Sequence, residues 1–397
     1  MTAYLDNAAT TVVSEEVLKK IKTVYLDDFG NPSSRHHMGV EAEKYIKESK
    51  GSIAKILKCE ENEIVFTSGG TESNNLALIG TALANKRNGN HIITTKMEHA
   101  SVYNPVLFLQ NMGFDVTFID VDKTGHVDAR KLKNAIRPDT ILVSVMYVNN
   151  EIGSVNNIPE ISKIIKSVNP KTIFHVDAIQ AFGKILIVPK NDGIDLLSVS
   201  GHKIHAPKGS GFLYIKKGTK IQPIIYGGGQ EKGMRSGTEN VPAIAGLGVA
   251  AKEMYDNLEI NRKHLYELKE RLIFGLLEND DVYIHTIGGN DTDENEIREN
   301  IYKTAPHIVS CGFGGIEKAE SFLNALSERE VYVSSGSACS SNHPDISGTL
   351  NAIGTDKKYL QSTLRFSFSK YTTIEEADYA LSCIKEILPF MRKYRRH

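Results

Sequence analysis

Cysteine is scarce in this chain: Cys59, Cys311, Cys339 and Cys383 are the only four in 397 residues, and none shares a CxxC spacing with another. That excludes a disulfide framework and a four-thiolate zinc site, so each thiol is read on its own. An excess of charge is lacking too. Lysine and arginine number 47 against 48 acidic residues, a formal net charge of -1, which leaves no basic excess for binding nucleic acid. No uncharged apolar run is long enough to span a bilayer, and Met1-Thr2-Ala3-Tyr4-Leu5-Asp6 has neither the basic start nor the apolar stretch of a signal peptide. The expectation is a cytoplasmic protein, with no membrane contact, whose partners are small molecules and other proteins. Repeats and low-complexity blocks are also missing, which removes solenoids and arrays.

What is present is alternation. Strands are predicted at 63–67, 91–95, 115–120, 140–146, 172–176 and 195–200, with helices at 71–85, 101–112 and 158–168 between several of them. That order implies an α/β fold with a mostly parallel sheet covered by helices, and ligands at the carboxyl ends of the strands. Beyond residue 257 the pattern changes to a long charged helix at 261–278 and a polar loop at 288–295. We therefore expect a large domain over 15–257 and a smaller α+β domain built from 1–14 and 258–397. The basic end, Arg392-Lys393-Tyr394-Arg395-Arg396-His397, reads as a solvated helix terminus.

Four strand ends carry candidate chemistry. In Ser198-Val199-Ser200-Gly201-His202-Lys203 a lysine flanked by small and hydrogen-bonding residues follows an apolar stretch, as a Schiff-base enzyme needs in order to hold the aldehyde of pyridoxal 5'-phosphate. A single lysine is more often a surface charge. Ser68-Gly69-Gly70 is a tight turn into the helix opened by Thr71-Glu72-Ser73-Asn74-Asn75, where backbone N–H groups and the helix dipole favour a phosphate. The competing reading is an ordinary glycine-rich connection. Without a Gly-Lys-Ser/Thr ending the turn is not a Walker A loop, which argues against a nucleoside triphosphate. Asp177, at the end of a strand, could keep a pyridine nitrogen protonated and make the ring an electron sink, with Gln180 bonding the ring's phenolic oxygen. Aspartates so placed more often cap turns. His99 could stack on the ring and move protons, or simply start a helix.

Taken together and in order, the motifs resemble the cysteine desulfurases, a class V branch of the aminotransferase-like (fold type I) pyridoxal phosphate enzymes. They are Tyr4-Leu5-Asp6-Asn7-Ala8-Ala9-Thr10-Thr11, Asn31-Pro32-Ser33-Ser34, the 67–75 turn, Glu98-His99, Val148-Asn149-Asn150-Glu151-Ile152-Gly153, Asp177-Ala178-x-Gln180, Ser200-Gly201-His202-Lys203, Gly233-Met234-Arg235-Ser236-Gly237-Thr238-Glu239-Asn240 and Ser334-Ser335-Gly336-Ser337-Ala338-Cys339. With Arg365 in Ser362-Thr363-Leu364-Arg365-Phe366-Ser367, they cover nearly the whole chain. The resemblance implies that Lys203 is the Schiff-base lysine and that Gly70, Thr71, Ser200 and His202 bind phosphate. It makes Asp177 and Gln180 the ring partners and His99 the stacking acid/base. Asn149 stands beside cofactor and substrate, and Arg365 clamps the substrate carboxylate, for which its planar fork suits better than a lysine. Thr238 matches a phosphate contact given across a subunit boundary, so a homodimer is implied. Cys339, in a segment rich in small residues, matches the nucleophile.

The implied reaction takes L-cysteine to L-alanine. Arg365 holds the substrate, Lys203 or His99 moves its α-proton, and Cys339 attacks the sulfur and carries it as a persulfide to an acceptor such as an iron–sulfur scaffold. Departures from the family pattern are few. Ile308-Val309-Ser310-Cys311-Gly312-Phe313-Gly314-Gly315 reads as a remodelled loop, with Cys311 as a packed strand-end residue rather than a second redox thiol. His343 reads as a polar loop tip rather than a group that lowers the pKa of Cys339, and a zinc site from Cys339, His343 and Asp345 would lack a ligand, so no metal is expected. Selenocysteine lyase and class V transaminase are the rival activities. A catalytically silent sulfur-transfer scaffold is the rival outside enzymes, and intact Lys203, Asp177 and Cys339 argue against it.

Overall fold

The computed structural model describes residues 1–289, 293–335 and 347–393. Seven strands form the main sheet, in the order Ile64–Thr67, Gly211–Ile215, Leu196–Ser200, Ile173–Asp177, Thr140–Met146, His91–Thr95 and Asp115–Ile119. All neighbours run parallel except Gly211–Ile215, which is antiparallel to the strands on both its sides. The central strands are buried along their whole length, which is why they read as continuous apolar runs rather than alternating ones.

Helices cover the sheet. Gly70–Asn85 and Ala100–Asn111 pack on each other, and the first lies against several sheet strands. Val241–Asp256 receives Glu15–Leu26 and His37–Leu57. Caps explain where helices start: Ser14 accepts from the Val17 N–H, and Asn157 accepts from the Glu160 N–H just ahead of Pro159. The helix expected at 158–168 is observed as Ile158–Val168, and the strands expected at 91–95 and 140–146 keep both their ends.

A second, antiparallel sheet has Ile308–Phe313 between Thr363–Ser367 and Val282–Ile284. This corrects the loop reading of 308–315, whose first six residues are the central strand of that sheet. Cys311 is fully buried there, opposite Leu364 and Ile284. Glycine misled the sequence reading because Gly312 is not a chain break. A Cβ on it would lie 2.7 Å from the Cβ of Tyr359, so glycine allows that side chain to pack on the strand. Ala3–Tyr4 pairs in parallel with Val331–Tyr332, and an apolar cluster joins Ala3 and Leu5 to residues between Leu265 and Leu388. Among the described residues no helix is long and apolar enough to cross a membrane.

Candidate active site

Four of the expected residues lie at the carboxyl ends of three strands of the main sheet, two of them adjacent and the third beyond one intervening strand. Asp177 ends Ile173–Asp177, Ser200 ends Leu196–Ser200 with Lys203 one 3-10 turn further on, and His99 caps Ala100–Asn111 just past His91–Thr95. Burial pushes the Asp177 carboxyl pKa up, while hydrogen bonds and the charges of His99 and Lys203 oppose the rise. Its Oδ1 accepts from the Ile179 N–H at 3.0 Å and its Oδ2 from Asn74 Nδ2 at 2.8 Å. Asn74 also donates to Ser101 Oγ at 2.9 Å, and that hydroxyl lies 2.8 Å from His99 Nδ1. The Ser101 backbone N–H donates to the same ring nitrogen at 3.1 Å, so Nδ1 is an acceptor and the proton of neutral His99 sits on Nε2. Burial, followed by the charge of Lys203, holds the His99 pKa below its usual value against the pull of Asp177.

Lys203 Nζ donates to the backbone oxygens of Ala8 at 2.7 Å and Ala9 at 2.6 Å. Gln180 Nε2 donates to the same Ala8 oxygen at 2.9 Å. The segment 8–11 is thus laid against the lysine, and Thr11 binds the His202 carbonyl through both its N–H and its hydroxyl. Behind Lys203, the buried Lys184 donates to its carbonyl oxygen at 2.7 Å, and burial lowers the Lys184 pKa to about 7.

The turn at 68–70 is shaped by contact. Gly70 and Thr71 open the Gly70–Asn85 helix, so their N–H groups have no intrahelical acceptor. A Cβ on Gly70 would stand 2.2 Å from Ile179 Cδ1, and one on Gly69 would lie 3.7 Å from Ser200 Oγ. The Ser200 hydroxyl therefore faces the turn. Arg235 Nε donates to Glu72 Oε1 at 2.9 Å and ties the 233–240 motif to the helix start. Thr238 itself is exposed and makes no hydrogen bond to this cluster among the described residues. Burial and neighbouring lysines bring His202 down to about 4, so it is neutral at physiological pH.

Arg365 arrives from the second sheet, buried, with Nη1 donating to the Asn150 carbonyl at 2.9 Å and Nη2 to Asp6 Oδ1 at 2.8 Å. Its Nε is buried and has no hydrogen-bond partner among the described residues. Asn149 is fully engaged inside the protein: its oxygen accepts from the Glu151 and Ile152 N–H groups at 2.9 Å, and its Nδ2 reaches Met97 O and Thr349 Oγ1. Cys339, His343 and Asp345 lie outside the described residues. Sequence reasoning missed Asn74 and Ser101. The available signal was polarity at a buried helical position, since Asn74 shares its face with Ala77 and Leu78 in an otherwise apolar stretch.

This donor set fits a phosphorylated pyridine aldehyde. It combines a lysine amine, a buried carboxyl group, a helix start whose Gly70 and Thr71 N–H groups have no intrahelical acceptor, and a serine hydroxyl facing that turn. The family profile described as Aminotransferase class-V matches residues 3–380, which places the fold and site in that class of enzymes. Relatives named cysteine desulfurase IscS include one from Dictyoglomus turgidum, 42% identical over 98% of this chain and 95% of its own, and one from Methanosarcina thermophila, 41% identical over 98% and 92%. Among solved structures, a NifS-like protein superposes with a TM-score of 0.90 at 37% identity over 98% of this chain and 100% of its own. SspA in complex with cysteine has a TM-score of 0.77 at 34% identity over 94% and 100%. The chain belongs to the cysteine desulfurases.

Proposed function

We propose that this protein is a cytoplasmic, pyridoxal-phosphate-dependent cysteine desulfurase. It converts L-cysteine to L-alanine and passes the sulfur, as a persulfide on Cys339, to an acceptor such as an iron–sulfur scaffold protein. The observation that carries the reading is that Lys203, Asp177 and His99 gather at the carboxyl ends of the main sheet's strands, close enough for their charges to act on one another. When bound, the cofactor supplies an aldehyde for amines and a protonated ring that accepts an electron pair.

The chain's own residues do the rest. Gly70, Thr71, Ser200 and His202 hold the phosphate, joined by Thr238 of the second subunit of a homodimer. Asp177 faces the ring nitrogen, and Gln180 gives an N–H to the ring oxygen. Lys203 is the anchoring amine; once displaced by substrate, its Nζ can take the α-proton, and His99 Nε2 is the second proton carrier. Arg365 pairs with the substrate carboxylate, and Asn149 braces the wall beside it. Cys339 Sγ attacks the substrate sulfur; the Sγ–S bond forms as the S–Cβ bond breaks, the electron pair of the broken bond stays with the substrate carbon, and a proton taken up at Cβ completes alanine. The same reading divides the chain into a cofactor domain over 15–257 and a small domain of 1–14 with 258–397, supported by the separate apolar cluster of the chain's two ends.

The test is the yield of alanine and sulfide from L-cysteine under reducing conditions. Wild type should give both in equal amounts, with Lys203→Ala and Cys339→Ser at least a hundredfold slower in sulfide release. A Cys339→Ser variant at full rate would remove that thiol from the mechanism.

A further inference from the structure

His307 has no part in the reaction above, yet it is buried beside the site. It immediately precedes the strand Ile308–Phe313, is 1% exposed, and places Nε2 3.1 Å from Gln180 Oε1 across 127 residues of sequence. Gln180 Nε2 faces the Ala8 carbonyl, which can only accept, so the orientation of the amide is determined and Oε1 must point at His307. Nε2 of His307 is therefore the donor. Its Nδ1 is buried with no hydrogen-bond partner. A bare buried ring nitrogen is unfavourable, and a leucine or phenylalanine there would avoid it. Burial keeps the ring neutral, and the groups whose charges act on it, Lys184, Lys269, Arg365 and Lys203, are all bases, so whatever charge they carry pushes the same way.

We propose that His307 is a positioning residue. Its Nε2–H locks the Gln180 amide in the one orientation that turns an N–H, and not the oxygen, toward the ring oxygen of pyridoxal phosphate. A glutamine amide held at one end only can rotate and exchange its donor for its acceptor; bonded to Ala8 at nitrogen and to His307 at oxygen, it cannot. This rests on the assignment of Gln180 to the ring oxygen.

The experiment is a double-mutant cycle on the full-length protein, using pyridoxal phosphate as probe and reading its dissociation constant and the visible absorption of the bound form. His307→Phe keeps the ring volume without the donor, and should weaken binding about tenfold and shift the absorption band. His307→Gln, whose amide nitrogen falls near the imidazole Nε2, should restore both. In a Gln180→Leu background, His307→Phe should change nothing further. Equal effects of His307→Phe in both backgrounds, or unchanged affinity and spectrum in a folded His307→Phe protein, would overturn the proposal. Where Phe abolishes the cooperative thermal transition, His307→Met takes its place in the same cycle. Failure of the wild type to take up the cofactor would instead sink the underlying reading, and is seen before any variant is compared.

Discussion

Burial raises the Asp177 pKa, and the donors around it work against that rise. Asn74 supplies one of its two described hydrogen bonds and also reaches Ser101 beside His99. Asn74→Leu should therefore act on both residues. Leaving Asp177 Oδ2 without a donor costs about 1–3 kcal/mol, to be read as lost stability in urea unfolding, together with weaker cofactor binding. Glu98, next to His99, is shifted in the same direction. It accepts from Thr95 Oγ1 and the Met146 N–H, but burial raises its pKa to about 8, so it is protonated at neutral pH. In the unfolded chain the same group titrates near about 4.3. Between those values the native state holds a proton that the unfolded state has lost, so stability falls as pH rises, by roughly 1.4 kcal/mol per unit. Glu98→Gln should flatten that part of the stability profile in denaturant titrations at pH 5 to 8. Chain order made Asp177, His99 and Lys203 legible, because each ends a strand, caps a helix or follows a strand within one turn. Asn74 and His307 were not legible: their partners lie 103 and 127 positions away, and only folding sets those distances.

The turn at Gly69 and Gly70 is the element to which we assign phosphate binding, and glycine is required there for packing as much as for flexibility. Gly70→Ala meets the end of a side chain, Ile179 Cδ1, whereas Gly211→Ala would meet backbone: Val199 O at 2.6 Å and Gly69 Cα at 2.7 Å. A side chain can move and a backbone in a sheet cannot. We expect Gly70→Ala to weaken cofactor binding and Ile179→Val to recover part of the loss, while Gly211→Ala lowers the thermal transition with no such rescue. Cofactor titration and differential scanning calorimetry separate the two. The strand holding Gly211 was missed in the sequence because it is only five residues long, opens on a glycine and runs antiparallel within an otherwise βα-ordered stretch. The second sheet was missed where Gly312, Gly314 and Gly315 suggested a loop, although Gly312 lies within a strand and gives room to Tyr359.

At the scale of the molecule, the first dozen residues join its parts. Ala3–Tyr4 pairs with Val331–Tyr332, and a few residues later Ala8 and Ala9 receive the Lys203 amine. Arg365, from the second sheet, binds Asp6 and Asn150, so the site is completed by segments far apart in sequence. Phe29 and Tyr226 are each 70% exposed, and the 233–240 motif presents Thr238 outward. Tyr226 adjoins that motif, since the Ser236 N–H donates to the Ile225 carbonyl, and an exposed aromatic there suits a subunit interface. Sedimentation equilibrium should give about twice the 43.9 kDa chain mass, and Thr238→Ala should weaken cofactor binding without dissociating the dimer. A monomer with full cofactor affinity would remove Thr238 from the site.

The most direct test of the account is to find which lysine holds the cofactor. Lys184 is a real competitor: it is buried, its pKa is lowered to about 7, and it donates to the carbonyl of Lys203. Borohydride reduction of the cofactor-loaded protein fixes pyridoxal phosphate to its amine, and peptide mass spectrometry then locates it. The account predicts the label on Lys203 alone, and none in Lys203→Ala. A label on Lys184 or any other lysine in the wild type would contradict it.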